Sequence, residues 1–243
     1  MHADAVRNDA VRNDAVRNDA VRNAPAFSVS RLTFRYERKV AVSCDSLEIH
    51  RGETVAFTGS NGSGKTTMLK LLNGLLGPYD GRIDFLGLPL ARNPLLRDRS
   101  VFVHQHPVLF SGTVKDNFEY ALRLKRVRGA EAAKRIAMTV ERFSIGPLLE
   151  REAGRLSGGE TQRVAVARAV AAGADVILLD EPTSSMDSAS GSAIRAFLLE
   201  LRRSGTTLVF STHDASLVLD LAGRSVRFES GRVVDEPSTG GTL

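Results

Sequence analysis

The chain has 243 residues, 42% hydrophobic and 25% charged, which places it among ordinary globular proteins and outside the disordered, collagen-like and membrane-embedded classes. A net charge of +5, left over from 33 basic and 28 acidic residues, is too small to point to nucleic acid, and the single cysteine, Cys44, excludes an internal disulfide framework and suits a reducing cytosol. No apolar run approaches the ~18–20 residues that span a bilayer and no export signal opens the sequence, so a protein neither secreted nor membrane-spanning is expected.

The pentapeptide Asp-Ala-Val-Arg-Asn occurs four times between Asp4 and Asn23. A period of five drifts around a helix, so its valines form no stripe, and each copy carries one acid and one base. Residues 1–24 therefore read as a low-complexity tail, disordered or weakly helical. From Phe27 the pattern changes. Phe27–Phe34 and Val40–Ile49 read as strands, and Thr54–Thr58 as a short apolar strand running into a glycine-rich turn. Leucines at helical spacing mark a helix over Thr66–Leu75, which Gly77-Pro78 and Asp80-Gly81 punctuate. Ile83–Leu86 and Val101–Val103 read as strands, and Val114 to about Phe143 as helix, broken near Gly129. A helix Gly158–Ala171, a strand Val176–Leu179, a helix Ser188–Arg203 and a strand Thr207–Ser211 complete the alternation. Such alternation implies a mostly parallel sheet covered on both faces, with the helical block of residues 114–153 as a separate lobe.

Gly59-Ser60-Asn61-Gly62-Ser63-Gly64-Lys65-Thr66 fits the phosphate-loop pattern in full, with a strand entering and a helix leaving. The glycines let backbone N–H groups turn inward around phosphates, and the helix N-terminus adds its dipole. Lys65 is placed to reach the β and γ phosphates and the Thr66 hydroxyl to ligate Mg²⁺, with Thr67 continuing the loop into the helix. Val176–Leu179 delivers two adjacent carboxylates at the C-terminal end of a buried strand, where open α/β sheets bind ligands. Asp180 suits a Mg²⁺ ligand and Glu181 a base that orients or deprotonates water. A Mg-dependent nucleoside triphosphatase is the expectation.

Further motifs lie in a fixed order. Leu156-Ser157-Gly158-Gly159-Glu160, followed by Thr161-Gln162-Arg163, resembles the signature motif of ABC-type ATPases, and it stands shortly before Asp180-Glu181-Pro182-Thr183. On the resemblance, Gln105 falls at the Q-loop, Ser184-Ser185-Met186-Asp187 at the D-loop, His213 at the switch histidine, and Tyr36 at the aromatic that stacks on adenine. The resemblance covers about Phe27 to Asp235. It implies a P-loop NTPase fold of the α/β class: a RecA-like, mostly parallel core sheet with an antiparallel β subdomain and an inserted helical lobe over about residues 106–156. Residues 25–243 would form this ATP-binding domain. It implies that Ser157, Gly158, Gly159 and Asp187 complete the ATP site of a second cassette. His213 would meet the γ-phosphate or the water, and Gln105 would sense Mg²⁺. Two departures are visible: Glu160 stands where Gln is commoner, and the D-loop reads Ser-Ser-Met-Asp, which keeps Asp187. His104 and His106 flank Gln105 with no third ligand evident, so packing or partner contact is expected of them rather than metal binding.

The same resemblance implies partners and place. Gln105 and Ser157 are about fifty positions apart, leaving room for a compact lobe and none for the long coiled coil of chromosome-organising members. One cassette, with no fused membrane domain and no C-terminal regulatory domain, resembles the ATPase of a prokaryotic importer. Its partners would be a second cassette (a homodimer), transmembrane permease subunits and a solute-binding protein, with no nucleic acid, and its place the cytoplasmic face of the plasma membrane as a peripheral subunit. The groove around Pro107–Phe118 would receive a helix of the membrane subunit. His106 to Val114 with Asn117 resembles cassettes of tungstate- and phosphate-type oxyanion importers. The alternative is a non-transport ABC ATPase in a soluble complex. A GTPase is disfavoured by the lack of an N-K-x-D motif, and a P-loop kinase would not need Leu156–Glu160.

Overall fold

The computed structural model describes residues 24–184 and 186–234; the repeat segment 1–23 and the end 235–243 lie outside the described residues. Five strands run parallel in the order β9 (Arg224–Glu229), β3 (Thr54–Thr58), β8 (Thr207–Ser211), β7 (Val176–Asp180) and β6 (Ser100–Val103). On the other side β1 (Phe27–Tyr36), β2 (Lys39–Ile49), β4 (Asp80–Phe85) and β5 (Leu88–Pro89) pair antiparallel. The short β10 (Arg232–Val234) joins the halves, antiparallel to β9 and bridged to β2 by Arg232 and Ser43. β7 and β8 are buried at all five positions, as strands covered on both faces must be.

Seven α-helices cover the sheet among the described residues: α1 (Lys65–Leu72), α2 (Pro94–Arg99), α3 (Val114–Leu124), α4 (Gly129–Arg142), α5 (Gly158–Ala171), α6 (Ser188–Arg203) and α7 (Ala215–Leu221). The sequence reading finds the main alternation and misses five elements: β5, α2, α7 and the hairpin β9–β10. These are short or carry charges at alternate positions, so they show neither period clearly. The first helix stops at Leu72 rather than Leu75, because Gly74 turns to φ +69°. The helical block forms the inserted lobe and packs directly on the rest of the domain. Val114, Phe118 and Leu122 of α3 and Ile136 of α4 share one buried cluster with Val164 and Ala167 of α5 and Ile177 of β7, so the lobe has no core apart from the sheet's own helical face.

Four carboxylates fasten the helix starts. Thr113 and Asp116 form a capping box on α3, Ser157 and Glu160 one on α5; Asp187 caps α6 and Asp214 caps α7. Backbone N–H donors hold Asp116, Glu160 and Asp187 below their ordinary values, and the Ser216 hydroxyl followed by backbone N–H groups does the same for Asp214. A folded-state value below the unfolded one gives stability that is present above the unfolded value, 3.8 for Asp and 4.5 for Glu, and lost as pH falls through the folded one. Thermal melts should therefore hold a steady midpoint from neutrality to about pH 5 and decline below about pH 4. Asp214→Asn, which keeps a cap acceptor but not the charge, should melt below the parent at pH 7 and converge with it at low pH; an unchanged acid slope would remove Asp214 from this account.

Candidate functional site

β3 ends at Thr58 and the chain turns at Gly59 with φ +133°, where a Cβ would stand 2.2 Å from the Phe228 carbonyl oxygen of β9. Gly64, at φ +109°, opens α1, and a Cβ there would come within 2.8 Å of the Ala41 carbonyl. Only glycine allows this turn against two neighbouring backbones. α1 carries no side-chain cap and no acid in its first turn, which leaves its N–H groups for an anion. Lys65 is 5% exposed and has no acidic partner among the described residues: its Nζ donates to the carbonyls of Gly59 at 2.8 Å and Ser60 at 2.9 Å. The ammonium closes over the loop and needs only to swing to meet a phosphate.

Across the loop, Thr66 Oγ1 donates to Asp180 Oδ1 at 2.8 Å, and Ser211 Oγ donates to the same oxygen at 2.7 Å. Glu181 follows with φ +46°, the left-handed region, held at both ends of its backbone. Its N–H donates to Ser211 Oγ at 2.9 Å, and its carbonyl accepts from the Ser184 hydroxyl at 2.9 Å. The Glu181 carboxylate lies 3.1 Å from His213 Nδ1, and Gln105 Nε2 donates to Ser184 Oγ at 2.8 Å. Thr66 and Asp180 supply hard oxygen donors side by side, the type Mg²⁺ takes, and the residues fit that ion. No group of three or more His, Cys, Asp or Glu able to hold a metal occurs among the described residues, so phosphate oxygens and water would complete the shell.

These residues line a cleft of about 840 Å³. It gathers Tyr36, Asn61, Gly62, Ser63, Gly64, Lys65, Thr66, Thr67, Gln105, Glu181 and His213 from the sequence reading. Gly59 and Ser60 back Lys65, and Asp180 sits beneath Thr66. Ser157, Gly158, Gly159 and Asp187 do not line it. Within one chain Ser157 and Asp187 are helix caps, and Gly159 allows α5 to pack on α6, since a Cβ there would lie 2.8 Å from Ser190 Cβ. Glu160, the departure from Gln, completes the box: Oε2 accepts the Ser157 N–H at 2.8 Å and Oε1 meets Arg151 at 2.7 Å. His104 stands edge-on to Phe102 with ring centres 4.4 Å apart.

The sequence reading misses Lys39, Val40 and Ala41 beside Tyr36, Ser211 between the Asp180 carboxylate and the Glu181 N–H, and Ser230-Gly231 at the β9–β10 turn. Gly231 N–H donates to the Ser63 carbonyl at 3.0 Å. A Ser-Gly turn in the C-terminal stretch was the one available signal, and nothing local ties it to a phosphate loop.

A glycine loop between strand and helix, faced by an Asp-Glu pair from a neighbouring parallel strand, defines a P-loop nucleotidase site. Comparison with known proteins makes this specific. The ABC transporter family profile matches residues 43–184. A putative ABC transporter ATP-binding protein of Methanosarcina acetivorans is 38% identical over 87% of this chain, which spans about two fifths of that relative's length (41%). The nickel import ATP-binding protein NikO of Rhodobacter capsulatus is 38% identical, over 86% of this chain and 87% of its own. A dimeric structure of the ATP-binding cassette MJ0796, in a post-hydrolysis state with ADP and Pi, superposes with a TM-score of 0.76 at 29% identity, covering 89% of this chain and all of that one. The chain belongs to the ABC transporter ATP-binding family.

Gly59→Ala tests the loop geometry. With φ +133° and no room for a methyl group, the variant should lose nucleotide binding by on the order of 100-fold or more in a fluorescent-nucleotide titration. Gly62→Ala, where nothing lies within 4 Å, should lose far less. Equal losses in both would show that conformation alone, not the Phe228 contact, sets the requirement.

Proposed function

We propose that this chain is the ATP-hydrolysing subunit of an importer, working as a pair of cassettes beneath separate membrane subunits. The observation that carries the reading is the split of the motifs. Lys65, Thr66, Glu181 and His213 converge on one cleft, with Asp180 bonded beneath Thr66, while Ser157 stands exposed at the start of α5 outside it. A second copy would bring its Ser157 and the positive end of its α5 to the γ-phosphate. ATP would lay its base on Tyr36, which is 48% exposed, and its phosphates on the loop. Thr66 and Asp180 would hold Mg²⁺, with Gln105 placed to sense it, and the ion would supply neutralisation of the charge that develops on the phosphates.

Lys65 would leave the Gly59 and Ser60 carbonyls for the phosphates. Glu181 would orient the water and take its proton at a carboxylate oxygen as the new O–P bond forms and the bond to ADP breaks. His213, on the same carboxylate, would hold the γ-phosphate or that water. Closure of the pair then gates hydrolysis, as a lid does.

Coupling to a membrane partner is supported by a second cleft of about 750 Å³. It is lined by Phe102–Val108, Leu124 and Arg168, and Gln105 belongs to both clefts. Val108 and Leu124, exposed at 79% and 66%, suit a helix of a permease subunit docked at the cytoplasmic face of the membrane. No helix among the described residues is long and apolar enough to cross a membrane. A solute-binding protein would complete the assembly. The relative NikO is named for nickel, and the oxyanion resemblance of residues 106–117 points to another cargo, so the substrate follows from the membrane subunits that bind here.

Glu181→Gln should bind MgATP, hydrolyse it at least about 100-fold more slowly, and accumulate as an ATP-bound dimer by size-exclusion chromatography. Near-normal turnover would remove Glu181 as the base. Ser157→Asp keeps a cap acceptor for α5 but sets a negative charge where the partner's γ-phosphate would lie. It should bind ATP as a monomer, melt within a few degrees of the parent, and neither dimerise nor hydrolyse; undiminished turnover would rule out the shared site.

A further inference from the structure

Ser211 ends β8, is fully buried, and pairs in register with Asp180 of β7. Its one hydroxyl serves both members of the carboxylate pair, donating to Asp180 Oδ1 at 2.7 Å and accepting the Glu181 N–H at 2.9 Å. Thr66 donates to that same Oδ1, so both donors gather on one oxygen and leave Oδ2 without a protein donor among the described residues. The bonds extend in a line: Gln105 to Ser184, Ser184 to the Glu181 carbonyl, Glu181 N–H to Ser211, Ser211 to Asp180, and Thr66 onto Asp180.

We propose that Ser211 is a positioning residue that orients the metal-binding carboxylate and fixes the peptide of the general base with a single buried hydroxyl. The proposal rests on the reading of Asp180 as a metal ligand. The reason is a difference in constancy between the two donors on Oδ1. The Thr66 hydroxyl is itself a candidate metal ligand, so its position on Asp180 is tied to that role even while its O–H still donates. Ser211 is no metal ligand and keeps Oδ1 turned inward, which leaves Oδ2 for a metal. It also supplies the acceptor for a buried N–H at a residue whose φ of +46° the local chain would not choose. An apolar side chain of similar size would fill the space, leave that N–H unpaired and free Asp180 to turn.

The test uses the full chain with Ser211→Ala, Ser211→Thr and Asp180→Asn. Mn²⁺ binding in the presence of a non-hydrolysable ATP analogue is read by electron paramagnetic resonance. Nucleotide binding in EDTA is read by fluorescence. Ser211→Ala should weaken Mn²⁺ about tenfold, as loss of a partner to a metal ligand does, with metal-free nucleotide affinity unchanged, and Ser211→Thr should restore it. Mn²⁺ affinity within about twofold of the parent in Ser211→Ala, or a Thr variant as weak as the Ala one, would overturn the proposal. So would a parallel loss of metal-free nucleotide binding, which a merely structural role produces. If Ser211→Ala does not fold, Ser211→Cys keeps the volume with a weaker donor and gives the same comparison. Asp180→Asn separates the two ideas: its retaining Mn²⁺ would bring down the metal reading itself, whereas its losing Mn²⁺ while Ser211→Ala keeps it would bring down only the role of Ser211.

Discussion

The site depends on the hydrogen bond between Thr66 and Asp180, which joins positions 114 residues apart. Two parallel pairings make it possible. β3 lies against β8 and β8 against β7, so the loop leaving β3 and the carboxylates leaving β7 reach the same edge of the sheet from either side of β8. A parallel sheet aligns strand ends of one polarity, and any chemistry built there draws on several remote segments at once. Ser211, at the end of the intervening strand, takes the position between them.

The carboxylate pair is divided by environment rather than by residue type. Asp180 is 7% exposed and receives two hydroxyl donors, an arrangement for a fixed anionic ligand. Glu181 receives none from hydroxyls on its side chain and faces the ring of His213, which is itself 63% exposed. Its backbone carries the constraint instead, bound at N–H and carbonyl in a conformation costing about 1–3 kcal/mol. Strain of that size persists only where neighbours over-determine it, and the hydroxyls of Ser211 and Ser184 do so without adding charge.

The signature segment has a task within its own chain that does not conflict with the one proposed for it across a pair of cassettes. Within the chain Ser157, Glu160 and Arg151 fasten the start of α5, and Gly159 admits α6 to close contact. These contacts leave Ser157 and Gly158 on the surface, with the helix dipole directed outward. A residue that caps its own helix is thereby set in one orientation before any partner arrives. This preorganisation suits a site assembled from two surfaces, because little ordering remains to be done on closure.

What the sequence determined by itself was local in origin. The Gly59–Thr66 pattern, the apolar strand before Asp180-Glu181 and the Ser157–Glu160 box each depend on neighbours within a few residues, through φ freedom, strand burial and capping geometry. Alternation of strand and helix gave the parallel core for the same reason. Tertiary structure decided the rest: that Ser211 joins the Asp180 carboxylate to the Glu181 N–H about thirty residues away, that Phe228 and Ala41 press on Gly59 and Gly64, and that the Ser230-Gly231 turn borders the phosphate loop. Those contacts cross between strands whose pairing no local pattern encodes. A hydroxyl's partner and a glycine's necessity were set by what the sheet brought alongside.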